Sequence, residues 1–388
     1  MNNESLRDVY VGGVGMIKFG RYPEENVATL GAQAVQLALA DGGMQLNDIE
    51  MMAAGCLYQT NMIGQKILKE MGMTGIPVYN VANACATGST AFREAYFAVG
   101  SGAYDIALAV GVEQMGKRGL LGGITGDPAY SPEGVMGTGT MPGVFGMAGL
   151  EHSRQYGTTI EQFAQVSVKN HEHAMANPLS QYQVRVSLED VLNARMVAYP
   201  NTLYMCCPTG DGAAAAVVMS KEKAKQFSRE LIKVAASALT TDPYTDRVLT
   251  FPDVNTMTVN AAREAYEQAG VSPQDLNSVE LHDCFATAEV LHYENLQLAP
   301  KGEAGRWVDE KLTDLAGPQG DPRWTPVNTS GGLLSKGHPI GATGVANICE
   351  ITWQLRGQAG DRQVPDHKAG MAHTIGLGSA CAVHILTK

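Results

Sequence analysis

The chain has 388 residues, 45% of them hydrophobic, and a formal net charge of −11. Such a length can bury a large core and is expected to hold about two domain-sized units. The acidic balance argues against a general binder of nucleic acid or of anionic membranes, so neither is expected as a partner.

The cysteines and the apolar stretches indicate a reducing compartment. Seven cysteines are present, with no Cys-x-x-Cys pair and no Cys/His spacing of a zinc site, so no metal is expected. The polar start Met1–Ser5 lacks the pattern of a secretory signal, and Ile385–Lys388 is not a peroxisomal signal. No apolar run is long enough to span a bilayer. We therefore expect reduced thiols and a cytoplasmic location.

Two parts of the chain repeat the same order of elements. A strand from Val9, a helix to Gly42 and the stretch Leu46–Glu50 lead into a second strand. A strand from Val234, a helix to Gly270 and the similar stretch Leu276–Glu280 again lead into a strand. Each part also ends in a small-residue strand, at Asp211–Ser220 and Gly376–Leu386. This self-similarity predicts two duplicated α/β units.

A stretch of different character, from Arg118 to Pro200, separates the two parts. It is rich in Gly, Pro, Met and Tyr at first, and a helical pattern runs from about Gly146 to Asn177. A long structured insertion beside an α/β core usually serves binding, which is the favoured interpretation. The alternative is a surface excursion or an oligomer contact.

The first chemical segment is Asn80–Thr90, in which Cys85 lies between a strand and a helix. Small neighbours leave its sulfur accessible, and the start of the following helix is expected to lower the pKa of the thiol. This is the arrangement of a nucleophile at a sharp turn. The alternative is a buried cysteine in a tight turn.

The second segment, His282-Asp283-Cys284-Phe285, follows a strand and precedes a helix. It places an imidazole, a carboxylate and a thiol in three consecutive positions, at a location where α/β proteins gather their chemistry. The alternative is a small buried cysteine flanked by a surface histidine.

The third segment is the glycine-rich loop Asn328–Gly344, in which His338 lies between Gly337 and Pro339. A neutral imidazole there could take a proton from a thiol or donate to an oxyanion. The spacing lacks the end of a phosphate-binding loop, and a structural turn histidine is the alternative.

The fourth segment, His373–Cys381, carries glycines whose backbone N–H groups could approach a ligand or could serve turn geometry alone.

Together these segments resemble the thiolase family, most closely its sterol-carrier-protein-2 type without the carrier domain. The similarity extends nearly from end to end and includes four motifs in the family order. Further matching stretches are Val11–Met16, Gly72–Pro77, Cys206–Thr209, Asp211–Ala216 and Trp353–Gly357.

The resemblance implies roles for individual residues. Cys85 would be the acylated nucleophile, and His338 would activate it and help to bind a thioester oxygen. Thr374 stands where common thiolases carry a second cysteine, so Cys284 would replace that cysteine as acid/base. His282 would support one oxyanion site together with His338. The backbone N–H groups of Cys85 and Gly376 would form the other oxyanion hole. Phe145 and Met147 would line the acyl pocket.

The implied activity is that of an acyl-CoA C-acyltransferase, which cleaves a 3-oxoacyl-CoA with coenzyme A or catalyses the reverse Claisen condensation. No metal and no redox cofactor is implied, because coenzyme A is a substrate. The implied fold has two similar α/β halves, each with a five-stranded mixed sheet, in α-β-α-β-α layers. The halves would span residues 1–117 with 201–228, and 229–388; residues 118–200 would form the inserted loop domain that binds coenzyme A and the acyl chain.

The implied assembly is a homodimer or tetramer, and some relatives work with a small zinc- and OB-fold-containing subunit. Three other functions remain open: a condensing enzyme that uses Cys85 with His282 and His338, a retro-aldolase, and a non-catalytic protein that binds acyl-CoA or lipid. The thiol at Cys284 argues against the condensing enzyme. The intact Cys85 and Gly-His-Pro positions argue against the other two.

Overall fold

The computed structural model describes residues 6–59, 61–116, 140–227, 230–244, 254–377 and 379–388. The elements of the N-terminal half come first in the chain. They are β1 (Val9–Met16), α1 (Val27–Gly42), β2 (Met51–Gly55), α2 (Ile63–Met71), β3 (Val78–Val81), α3 (Thr87–Gly100) and β4 (Ile106–Gln114).

The remaining elements belong to the insertion, to the last part of the N-terminal half and to the C-terminal half. The insertion contains α4 (Met141–Tyr156), α5 (Ile160–Met175), α6 (Leu188–Asn193) and β5 (Met196–Ala198), and β5 pairs with β6 (Asn201–Thr202) directly after the insertion. It is followed by β7 (Asp211–Ser220), α7 (Lys221–Phe227), β8 (Ile232–Thr240), α8 (Val254–Ala269), β9 (Ser278–Glu280), α9 (Ala286–Asn295), α10 (Ala304–Asp309), α11 (Ile340–Leu355), β10 (Ala369–Gly376) and β11 (Ala380–Thr387).

Nine strands form one sheet in the order β3-β2-β4-β7-β1-β8-β11-β10-β9. The first five strands belong to the N-terminal half and the last four to the C-terminal half. The two groups meet where β1 pairs with β8, through Tyr10 with Lys233 and Val11 with Ile232. An isolated parallel bridge between Val279 and Val327 takes the place of a fifth strand beside β9. Both halves therefore share one strand order, as the predicted duplication requires, although the second half has four strands and a bridge instead of five strands.

The helices form layers on both sides of the strands. Helices α3 and α11 contact each other, and each of them contacts strands of both halves. Helices α1 and α2 pack on strands of the N-terminal half, and α8 packs on β8 and β11. This arrangement confirms the predicted fold of two α/β halves with a shared central helix layer.

Glycines bring the two central helices unusually close. A Cβ atom on Gly88 of α3 would lie 2.6 Å from the carbonyl oxygen of Gly341, at the start of α11. A Cβ atom on Gly344 would lie 2.2 Å from the backbone nitrogen of Ser89. Side chains at these positions would force the helices apart. The beginnings of α3 and α11 are therefore adjacent, and so are the residues that precede them.

The insertion covers the C-terminal half through α4 and α5, which both contact α9. Helix α5 begins at a capping box, in which Thr159 accepts from the backbone of Gln162 and the Gln162 side chain accepts from the Thr159 N–H. Residues 118–139 of the predicted insertion lie outside the described residues, and the domain boundaries stay a prediction. Within the described ranges, no helix is both long and apolar enough for a membrane span.

Candidate active site

Cys85 lies at a sharp turn between β3 and the first residue of α3. The preceding residue, Ala84, has a φ of 46°, a left-handed conformation that costs energy in a residue with a side chain. Thr87 holds the turn, because its hydroxyl accepts from the Asn83 N–H at 2.8 Å and donates to the Ala84 carbonyl at 2.6 Å. The structure thus contains the strand–turn–helix geometry that the sequence predicts around Cys85.

His338 lies directly before α11, and its contacts determine which ring nitrogen carries the proton. The Thr343 hydroxyl donates its only proton to the Pro339 carbonyl at 3.0 Å. With that proton engaged, we assign the 2.8 Å contact to His338 as a hydrogen bond from Nδ1–H to the Thr343 hydroxyl oxygen. Nε2 then carries a lone pair, and this atom is buried without a hydrogen-bond partner. His338 is oriented as a base.

Asp283 connects the 282–285 segment to the loop that carries His338. Its carboxyl oxygens accept from the backbone N–H groups of Leu333 at 2.7 Å and Leu334 at 3.2 Å, in a single turn of π-helix, Gly332–Lys336. It also accepts from the side chain of Asn170, on α5, at 2.8 Å. The sequence prediction gave Asp283 no role. Its position between two predicted reactive residues, His282 and Cys284, could have indicated one.

The structure brings three of the predicted catalytic residues together. The Cys85 sulfur and one ring nitrogen each of His282 and His338 lie within 4.8 Å of one another, and all three residues are buried. The two imidazole rings stand nearly perpendicular, with centroids 5.1 Å apart. Cys284 opens onto the same narrow, mostly apolar pocket. The pocket is lined by Cys85, Met141, Phe145, Cys207, His282, Cys284, Phe285, His338, Ile375 and Leu377.

Gly376 passes close to the turn that carries Cys85. A Cβ atom at Gly376 would lie 2.3 Å from the Asn83 carbonyl, so only glycine fits this approach. Its neighbours Ile375 and Leu377 line the pocket. This placement is compatible with the predicted backbone oxyanion hole of Cys85 and Gly376, whose function stays a prediction.

The two residues predicted to line an acyl pocket have different positions. Phe145 lines the pocket and stacks on Phe285 with centroids 5.4 Å apart. Met147 is half-buried and is not among the lining residues. Two residues along an α-helix rotate a side chain by about 200°, so Met147 faces away from the side that carries Phe145. Met141, one turn before Phe145, lines the pocket instead.

Burial sets the protonation states in the pocket. Burial, with a smaller contribution from the negative charge of Glu113, raises the pKa of Cys85 to about 12. The predicted lowering of this pKa by the helix start is therefore wrong, because loss of hydration outweighs the helix dipole. Burial also raises the pKa of Cys284 well above its usual range, lowers that of His282 to about 3 and lowers that of His338 strongly. The resting groups are neutral thiols and neutral imidazoles.

Two family models match the chain. The thiolase N-terminal domain matches residues 9–188, and the thiolase C-terminal domain-like model matches residues 246–388. The chain belongs to the thiolase family. The predicted resemblance is thereby confirmed over most of the sequence.

Curated thiolase-related proteins are similar over nearly the whole chain. Sterol carrier protein 2 of Rattus norvegicus is 40% identical over 99% of this chain and 72% of its own length. Acetyl-CoA acetyltransferase of Methanothermobacter thermautotrophicus is 38% identical over 99% of this chain and 100% of its own length. Benzoylsuccinyl-CoA thiolase subunit BbsB of Thauera aromatica is 36% identical over 96% of this chain and 95% of its own length. These similarities indicate a thiolase-type acyltransferase.

Solved structures show the same fold at lower identity. The Ltp2-ChsH2(DUF35) aldolase has a TM-score of 0.84 and 22% identity, covering 97% of each chain. Human mitochondrial 3-ketoacyl-CoA thiolase in complex with CoA has a TM-score of 0.71 and 17% identity, covering 99% of each chain. The thiolase fold therefore holds for this chain over almost its full length.

Proposed function

We propose that this thiolase cleaves a 3-oxoacyl-CoA with coenzyme A, or catalyses the reverse Claisen condensation, through an acyl group carried on Cys85. The observation that carries the proposal is the cluster of Cys85, His282 and His338, whose reactive atoms lie within 4.8 Å in a buried pocket. A thiol beside an unpartnered imidazole nitrogen is the pair that nucleophilic catalysis requires.

The first chemical step is attack on the 3-keto carbon. Because burial keeps the Cys85 thiol neutral, a base must take its proton as the sulfur attacks. Nε2 of His338 has the free lone pair for this step. Negative charge then develops on the substrate oxygen, and His282 opens onto the pocket where an N–H donor could stabilise it.

The second step breaks the carbon–carbon bond. Acetyl-CoA leaves as an enolate and takes a proton from Cys284, or propionyl-CoA leaves in the case of a 2-methyl-branched substrate. Incoming coenzyme A returns a proton to Cys284, and its sulfur then removes the acyl chain from Cys85. The released Cys85 thiolate regains the proton that His338 took in the first step. Separate thiols are needed for acyl transfer and for proton transfer, and Cys85 and Cys284 of the pocket take these two roles. In the predicted oxyanion hole, the backbone N–H groups of Cys85 and Gly376 would stabilise the thioester oxygen.

The proposed reaction uses coenzyme A as substrate and requires no metal or redox cofactor. A homodimer or tetramer, a small zinc- and OB-fold-containing partner subunit and a cytoplasmic location stay predictions. Cys284 in the pocket favours thiolysis over a condensing enzyme that relies on one cysteine and two histidines. The free Nε2 of His338 beside Cys85 favours a catalytic protein over a passive binder.

Mass spectrometry after incubation with acyl-CoA tests the covalent step. Wild-type protein is expected to gain one acyl group on Cys85, and Cys85→Ala is expected to gain none. Cys381→Ala is the matched control, because Cys381 is also a buried free cysteine but does not line the pocket. Thiolysis assays with short, long, 2-methyl-branched and steroid 3-oxoacyl-CoAs then define the substrate class. Absence of both an adduct and thiolysis would overturn the proposal.

A further inference from the structure

Cys207 is a third thiol of the pocket, and the mechanism above leaves it unused. It lies in the segment after β6, which runs antiparallel to the 282–285 segment through an isolated bridge between Cys206 and Phe285. The Cys207 N–H donates to the Cys284 carbonyl at 3.0 Å. In this register Cys207 lies directly opposite Cys284.

Opposite residues of an antiparallel pair project to the same face, with Cβ atoms about 4.5–5.5 Å apart. Cys207 and Cys284 both line the pocket, in agreement with this rule. The neighbouring Cys206 behaves differently, because its sulfur donates to the Thr202 carbonyl at 3.2 Å and does not line the pocket. The two adjacent cysteines thus face opposite ways, and one of them stands beside the proposed acid/base.

The reaction makes Cys284 an anion for part of each cycle. Burial disfavours that anion most, and negative charge on Cys207, Cys85 or Asp283 would disfavour it further. Burial also raises the pKa of Cys207 well above its usual range, so Cys207 faces Cys284 as a neutral thiol. The Asp283 oxygens are occupied by three hydrogen bonds, and the Phe285 N–H is the backbone donor to the Cys284 sulfur. A neutral thiol is a further donor of the kind that stabilises a thiolate.

We propose that the proton carrier of this site is a pair of thiols, Cys284 and Cys207, in which Cys207 S–H donates to the Cys284 thiolate. The proposal rests on the proposed function. Cys284 gives its proton to the enolate carbon and becomes a thiolate, which Cys207 stabilises by hydrogen bonding. Coenzyme A then returns a proton to Cys284, and Cys207 keeps its own. Protons balance over the cycle, and no oxidant or reductant takes part.

Other titratable groups surround this thiol pair and affect its pH profile. They are Cys85, Cys206, His282, Asp283 and His338. None of them is a cation at neutral pH, because burial keeps both histidines neutral. Within the described pocket lining, no lysine or arginine stabilises the Cys284 thiolate. Loss of the neutral donor opposite Cys284 is therefore expected to change the rate of proton exchange.

Exchange of the methyl protons of acetyl-CoA in D2O, followed by mass spectrometry, isolates the proton-transfer step. Cys207→Ala is expected to slow exchange about tenfold, because a hydrogen bond to a charged group is lost. It is also expected to move the rise of exchange to higher pH, since the Cys284 thiolate loses a donor. Cys207→Ser, which keeps a hydroxyl donor, is expected to retain most of the exchange and carries the test if the alanine variant does not fold.

Cys206→Ala is the matched control and is expected to exchange at the wild-type rate. Acylation of Cys85 is measured on the same samples. If Cys207→Ala is acylated and exchanges as fast as Cys206→Ala, the thiol-pair proposal is wrong and the proposed function stands. If wild-type protein neither acylates Cys85 nor exchanges protons, both proposals are overturned.

Discussion

Thr374 and Ser89 connect the two halves of the molecule, because the Thr374 hydroxyl donates to the Ser89 hydroxyl oxygen at 2.8 Å. Thr374 is in β10 and Ser89 is in the first turn of α3, and both are fully buried. The family resemblance places a cysteine at position 374 in common thiolases. Here that position holds a hydrogen bond between the halves, so the proton carrier has to come from elsewhere in the pocket.

Cys284→Ala is expected to abolish acetyl-CoA proton exchange and to lower thiolysis by about 10²- to 10⁴-fold, the usual contribution of an acid/base. Acylation of Cys85 should persist, since His338 acts in that step. Adding Thr374→Cys is expected to restore part of the exchange, because it places a thiol at the alternative position. Isotope exchange monitored by mass spectrometry measures both effects; full activity in Cys284→Ala would refute the assigned role.

Thr343→Val is expected to lower kcat about tenfold with little change in KM. The substitution removes the oxygen that accepts from Nδ1–H of His338, so the proton can move to Nε2 and block the base. Steady-state kinetics measure the change. Thr352→Val serves as control, because that hydroxyl only donates to the Ile348 carbonyl within the same helix. Equal losses in both variants would mean that the effect is structural.

Asp283→Asn is expected to reduce the free energy of unfolding by about 1–3 kcal/mol. The new amide NH₂ group cannot accept a hydrogen bond, so at least one of the N–H donors that now contact Asp283 loses its acceptor. The His338 loop would also lose its anchor, so kcat should fall as well. Chemical denaturation and kinetics provide the two measurements. Asp275→Asn tests an exposed carboxylate that caps a short helix and should leave kcat unchanged; an unaffected kcat in Asp283→Asn would contradict the anchoring role.

Acidification is expected to destabilise the protein below about pH 6.5. Burial lowers the pKa of eight of the nine histidines: His171, His173, His282, His292, His338, His367, His373 and His384. The unfolded chain then binds more protons than the folded one, so stability falls as pH falls from about 6.5. Each such proton contributes a slope of about 1.4 kcal/mol per pH unit.

Urea denaturation between pH 7.5 and 5.5 measures the net slope, in which Asp283, whose pKa burial raises to about 8, opposes the histidines. His384→Gln should reduce the slope by about one proton, since His384 is buried against Phe92 and lies outside the pocket lining. A free energy of unfolding that stays constant over this range would show that the histidines are not buried as neutral rings.

Gly88→Ala is expected to cost about 1–3 kcal/mol of stability, because the added methyl group would meet the Gly341 carbonyl at 2.6 Å. Separation of α3 from α11 would also move Cys85 away from His338 and lower the rate of acylation. Thermal melting and mass spectrometry measure both effects. Gly20→Ala is the control, since its nearest neighbouring atoms lie 3.8 Å away; similar behaviour of the two variants would exclude a special role for the helix contact.

Much of the fold could be predicted from the sequence, because its signals are local. The repeated Leu46–Glu50 and Leu276–Glu280 stretches indicated the duplication, and both lie directly before or within the second strand of a half. The strand-to-helix turn at Cys85 followed from its small neighbours. The prediction of a fifth strand in the second half was wrong, since a single bridge at Val327 stands in its place. The sequence could not show this, because strand pairing depends on contacts between distant segments.

The site was predictable in its residues and less so in its electrostatics. Cys85, His282, Cys284 and His338 share one pocket as expected. The pKa of Cys85 was predicted in the wrong direction, because the degree of burial depends on the whole tertiary structure. Cys207 was visible only as one of two adjacent cysteines, and the register that places it opposite Cys284 arises from packing between distant segments.

The close contact of α3 with α11 has a consequence for the order of events during synthesis. Cys85 leaves the ribosome well before His282, Cys284 and His338, which belong to the later half of the chain. A nascent N-terminal half would therefore carry a cysteine with no imidazole beside it. The pair of Cys85 and His338 forms only after the second half has folded and docked on the first.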